Sequence, residues 1–123
     1  MHATTTPYGP AVISRWVAGG LGLLLVGVGV LGFLPAGAGG RNSNAPAYNV
    51  FHLIFGLLGL VLAVWGDRTA ARAFLVGFGV IDLYQALASR RHWFPEASFR
   101  WTPTDDLLHL VIGVLLIVAG VVL

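Results

Sequence analysis

Hydrophobic residues run almost unbroken through four segments of this chain, near Ala11–Leu34, Tyr48–Gly66, Ala70–Ala88 and Asp105–Leu123, and polar residues gather between them. Each segment is long enough to cross a bilayer as a helix, which takes roughly 17–25 residues. The pattern therefore predicts an all-α integral membrane four-helix bundle over residues 11–123, preceded by a short polar tail at 1–10. Nothing is left over for a soluble domain. Pro35 and Gly37-Ala38-Gly39-Gly40 should stop the first helix. Asn49 can cap the second, and Thr102-Pro103-Thr104-Asp105 reads as a cap, a first-position proline and an acidic third position, close to a capping box. Gly66-Asp67-Arg68-Thr69 reads as a tight turn, making helices two and three antiparallel neighbours. Arg15, the apolar run after it and Ala36-Gly37-Ala38 have the outline of a cleaved signal peptide, but the run is too long for such a peptide's apolar core, so a retained helix is expected.

The chain can also be laid on itself at one ungapped offset of 57 residues. Arg15 then falls on Arg72, Gly20 on Gly77, Gly22 on Gly79, Pro46 on Pro103, His52 on His109 and Gly56 on Gly113. Apolar matches mean little in so hydrophobic a chain; the rarer residues carry the signal. The expectation is two tandem two-helix repeats, about 11–66 and 70–123. Because each unit holds two spans, both halves should have the same orientation, related by an axis along the membrane normal rather than inverted.

Composition agrees with a membrane class: 57% hydrophobic and 10% charged residues, with a mean hydropathy of +0.84, against about 25% charged in soluble domains. No cysteine is present, so disulfides and thiolate ligands are excluded. The seven basic residues are all arginine, scattered over the loops, and the net charge is +2. That distribution suits anchoring beside a membrane rather than nucleic-acid binding. Trp16 and Trp65 fall on one side of the spans, and Tyr48, Trp93 and Trp101 on the other, as two interfacial aromatic belts would. Arg15, Arg68 and Arg72 share the side of the termini; Arg41, Arg90, Arg91 and Arg100 share the side of the longer loops. Arg15 and Arg72 abut helix starts, which leans the termini toward the cytoplasm.

Small residues should let helices approach closely in lipid, where no hydrophobic effect drives association. Gly22 and Gly29 with Ala18 on the first helix, Gly56 and Gly59 on the second, Gly79 on the third and Gly113 on the fourth are the candidates. They serve packing within the chain or, on the first helix especially, contact with a second copy. A homo-oligomer or larger membrane complex is expected on this ground.

Polar residues inside the spans hold the candidate chemistry. His52 and His109 sit about one turn into their helices from the same side, and Asp82 and Gln85 share a face of the third helix at similar depth. A carboxylate inside a span costs at least roughly 2.5–3.5 kcal/mol, so it needs a partner or water. The simplest reading is a polar cluster in which Asp82 pairs with His52, His109 or a loop arginine and locks the helices together. Alternatives are axial ligation of haem or a chlorophyll-type pigment by the two histidines, a metal held by His52, His109 and Asp82, and a proton or ion path. No nucleotide-binding, nucleophile-elbow or zinc-protease motif occurs, and no enzyme is expected.

The segments Asn49-Val50-Phe51-His52-Leu53-Ile54-Phe55-Gly56 and Asp106-Leu107-Leu108-His109-Leu110-Val111-Ile112-Gly113, with the glycine-rich first helix ending in Gly32-Phe33-Leu34-Pro35, resemble the domain of unknown function 4383 family of bacterial membrane proteins. The resemblance covers most of residues 11–123 and implies four membrane helices without an assigned activity. It marks Asn49, His52, Asp106 and His109 as signature positions near the helix starts. The functional expectation is a non-enzymatic accessory or scaffold subunit; a haem- or pigment-binding subunit and a small proton or ion transport module are the alternatives.

Overall fold

The computed structural model describes residues 9–35 and 40–123. Most of the expected polar tail and the glycine run at 37–39 lie outside the described residues. The described chain is helical, with no strand among its residues: α1 (Pro10–Phe33), α2 (Pro46–Trp65), α3 (Arg68–Arg91), a single turn α4 (Glu96–Phe99) and α5 (Pro103–Val122). All but α4 are long and apolar enough to cross a membrane. The expected segments fall inside these helices to within three residues at either end. The exception in kind is α4, a turn in the second long loop whose polar, short sequence carries no periodic signal.

Helix starts follow their local chemistry. Proline occupies the first turn of α1, α2 and α5, where its missing N–H costs nothing. Asp67 caps α3 by accepting from Ala70 N at 2.8 Å. Thr102 and Asp105 form a full capping box on α5. Asn49 is not a cap: Ala45 holds that position, and Asn49 lies inside α2. Its side chain instead donates to Asn44 O at 3.0 Å and fills a notch on α1 at Gly32, while its backbone oxygen lies against Gly29.

Close helix packing runs along two seams, α1 against α2 and α3 against α5. A Cβ built on Gly22 would lie 2.6 Å from Gly56 O, and one on Gly79 would lie 2.8 Å from Gly113 O. Only glycine permits backbones this near. The same seams are pinned at the side of the termini. Arg15 donates through Nε to Ala63 O (3.1 Å) and through Nη2 to Val64 O (2.9 Å). Arg72 donates through Nε to Gly120 O (2.8 Å) and through Nη2 to Val121 O (3.0 Å). Both arginines satisfy carbonyls that a helix C-terminus leaves unbonded, and their charge complements the negative end of the dipole.

Between the seams, α1 meets α3, and α2 and α3 touch through the rings of Phe51, Phe55 and Phe78. The neighbours expected from the 66–69 turn thus meet through large side chains, while the close backbone approach lies elsewhere. The apolar core is built from Ala18, Leu25, Ala71, Phe74, Leu75 and Leu116 with Phe78. A smaller cluster on the loop side joins Ala45, Tyr48, Ala88 and Trp101. Tyr48 and Trp101 are therefore buried rather than part of an interfacial belt, while Trp16, Trp65 and Trp93 remain largely exposed. α1 and α5 do not pack along each other.

Candidate functional site

The loop-side half of the protein holds a polar layer beneath the α4 loop. Asp105 is its hub. It accepts from Asn42 Nδ2 (2.8 Å) and Ser43 N (2.8 Å) on the first long loop, and from Thr102 N (2.9 Å) and Thr102 Oγ1 (3.1 Å) at the start of its own helix. Thr102 Oγ1 also reaches Arg41 O at 2.6 Å, and Ser43 Oγ donates to Phe99 O at 2.5 Å. One carboxylate thus ties residues 41–43 to α5. A capping aspartate is an exposed feature in an isolated helix; here folding buries it.

His52 and His109 are each the seventh residue of their helix, which places them at the same depth. His109 Nε2 shares a 2.7 Å hydrogen bond with the Tyr48 hydroxyl. The Tyr48 ring lies 4.1 Å from the His52 ring, centre to centre, and 6.0 Å from the His109 ring. Tyr48 and His52 are four apart on one helix stripe, so their contact follows from helix geometry. His52 Nδ1 and His109 Nδ1 are buried without a hydrogen-bond partner among the described residues, as is Asp106 Oδ1.

Asp82 does not pair with a histidine or an arginine. Its Oδ1 accepts from Gln85 Nε2 at 3.2 Å, and Gln85 Oε1 accepts from Trp101 Nε1 at 3.1 Å. This is the whole of its bonding among the described residues, although it is only 3% exposed. The loop-side arginines Arg41, Arg90, Arg91 and Arg100 are all exposed.

His52, His109, Asp82 and Tyr48 line one cavity of about 300 Å³. Asn42, Ser43 and Asp105 close its polar end; Leu21, Leu24, Val28, Leu108 and Ile112 form the opposite wall. Gln85 lies behind Asp82, outside the lining. No group of three potential metal ligands is close enough to hold an ion among the described residues. A tetrapyrrole ligated by both imidazoles would have to displace Tyr48, which touches both rings and already occupies His109 Nε2.

Tyr48, Asp105 and Trp101 are site residues that the sequence analysis did not place there. Tyr48 has a signal, its four-residue spacing before His52. Asp105 had been assigned to capping alone, and the polar run Asn42-Ser43-Asn44 is the only hint of its partners. The glycines fall where their size is used: Gly22, Gly29, Gly56, Gly59 and Gly113 each face a neighbouring helix at sub-contact distance from a notional Cβ. Gly20 and Gly27, by contrast, face open space.

No family model, curated protein or solved structure matches the chain.

Proposed function

We propose that this is a non-enzymatic multi-pass membrane protein, a four-helix bundle of two tandem hairpins acting as an accessory or scaffold subunit that packs with itself or with a larger membrane complex. The observation that carries the reading is the inside-out distribution of polarity. Leu23, Leu31, Leu57, Val80 and Leu115 are exposed along the four long helices, while Asn49, His52, Asp82, Gln85, Asp105 and His109 are buried. Such a surface is at home in hydrocarbon, and most of the buried polar groups bond loop, cap or neighbouring helix groups rather than form an acid, base or nucleophile constellation. The repeat is supported by contacts that recur 57 positions apart: Arg15 with Ala63 and Val64, Arg72 with Gly120 and Val121, Gly22 with Gly56, Gly79 with Gly113. Kinship with the domain of unknown function 4383 family rests on the paired Asn/Asp-x-x-His-Leu-x-x-Gly segments. That kinship suggests a bacterial inner membrane, and Arg15 and Arg72 at the helix starts favour cytoplasmic termini.

The test is fractionation followed by native mass spectrometry in a mild detergent. The protein should stay with membranes after carbonate washing and leave the detergent micelle as an oligomer or with stoichiometric partners. Release by carbonate would overturn the membrane placement, and a lone monomer from gently solubilised native membranes would overturn the subunit role. The chain has no cysteine, so single cysteines introduced at Arg68 and Arg91 report the orientation by labelling from one side of intact cells.

A further inference from the structure

The cavity holding Asp82 has a composition that selects a ligand. Its wall contains two carboxylates, Asp82 and Asp105, and no arginine or lysine. Asp105 is engaged by three N–H donors. Asp82 has one amide donor and a second oxygen without a partner among the described residues. His52 lines the same space; it is 8% exposed, and its Nδ1 has no hydrogen-bond partner among the described residues. A buried carboxylate and a buried imidazole, both short of partners and facing one cavity, need a donor that the chain does not supply.

The other wall says where that donor comes from. Leu21, Leu24 and Val28 belong to α1, and Leu108 and Ile112 to α5. α1 and α5 have no extended contact with each other, and their exposed lining residues place the mouth of the cavity between them. Leu24, Val28 and Leu108 are each at least 40% exposed and carry the apolar wall out to the surface. On the bilayer placement proposed above, on which this inference rests, the mouth faces lipid.

We infer that the cavity is a lateral binding site for a lipophilic ammonium compound, its charged nitrogen between Asp82 and His52 and its alkyl chain leaving between α1 and α5. The volume of about 300 Å³ is at the low end of small-molecule pockets, enough for the head and the first part of the chain. The Tyr48 and Phe78 rings in the lining add π faces for the cation. An anionic head would add a third negative charge beside Asp82 and Asp105 with no arginine or lysine to offset it, which disfavours fatty acids. Zwitterionic phospholipids are disfavoured for the same reason, because their phosphate lies only two carbons behind the amine.

The experiment uses the full chain in dodecyl maltoside, with dodecylamine as the probe and dodecanoate and dodecanol as controls, followed by thermal stability and equilibrium dialysis. Dodecylamine should bind saturably, and Asp82→Asn, which keeps an oxygen for Gln85, should weaken it about tenfold or more. Dodecanoate and dodecanol should show no saturable binding. Leu108→Trp, which narrows the mouth without touching the polar wall, should also abolish binding and so decides the matter if Asp82→Asn fails to fold. Equal binding of dodecylamine by wild type and both variants would show micelle partition and overturn the site, as would equal binding of dodecanoate. Stabilisation by acid or sodium alone, lost in Asp82→Asn and indifferent to the amine, would overturn it in favour of proton or ion traffic. Failure of the membrane placement is read separately, as a protein that stays monodisperse without detergent.

Discussion

Two glycines on one helix should respond to the same substitution with opposite signs. A methyl on Gly22 would lie 2.6 Å from Gly56 O, 2.8 Å from Leu60 N and 3.1 Å from Gly59 C. All three are backbone atoms of α2, and none can swing aside. Relief needs the α1 and α2 axes to part by roughly 0.7 Å near that point, and a gap of 0.5–1 Å already forfeits a quarter to a half of each dispersion contact. Overpacking of this kind typically costs about 1–3 kcal/mol, and the rigid obstacle puts Gly22→Ala near the upper end. Gly20, two residues earlier, has no atom within 4 Å of a notional Cβ. There alanine only relieves the entropic cost of a helical glycine, a gain of about 0.5–1 kcal/mol. Thermal unfolding followed by circular dichroism in dodecyl maltoside should therefore separate the variants by roughly 3 kcal/mol, with wild type between them. Gly79→Ala should fall with Gly22→Ala, because its methyl would meet Gly113 O at 2.8 Å on the other seam. If Gly22→Ala matched or exceeded wild type while remaining helical, the close seam between α1 and α2 would be wrong.

Tyr48→Phe removes the bond to His109 Nε2 and should lower stability by about 1–3 kcal/mol, the cost of an unmet buried polar group; His109→Leu should also melt lower, and an unchanged midpoint in both would remove the histidine from the interior lock. Asp105→Asn turns an acceptor of three N–H donors into a group with its own N–H pointing at one of them, and about 2–4 kcal/mol of stability should go with it; limited proteolysis should then cut near residues 41–43, and resistance equal to wild type would contradict the hub. With Tyr48 against both imidazoles, protein purified gently from its own membrane should show no Soret or pigment band; such a band, lost in the His52→Leu/His109→Leu double variant, would overturn that arrangement.

The linear pattern of the chain determined the helices. Hydrophobic runs of membrane-spanning length, prolines at helix starts and the Thr102–Asp105 box act within a few residues, so four of the five helices and their limits were legible before any fold was known. Gly22, Gly56, Gly79 and Gly113, with Arg15 and Arg72, pair at the 57-residue offset in sequence and all lie on the two seams. What the sequence could not decide was partnership. Asp82 carries the same charge whether its neighbour is a histidine or Gln85, and Asn49 looks like a cap until Pro46 starts the helix three residues earlier. Tyr48 and Trp101 have the amphipathic character of interfacial residues, yet the loops fold over them and bury them. Asp105 gained its central role only when Asn42 and Ser43, more than 60 positions away, came within 2.8 Å. Local propensity and span length are one-dimensional quantities that composition can encode; hydrogen-bond pairing, burial and the gap between α1 and α5 depend on how helices that look alike in sequence are set against one another, and only the tertiary structure fixes that.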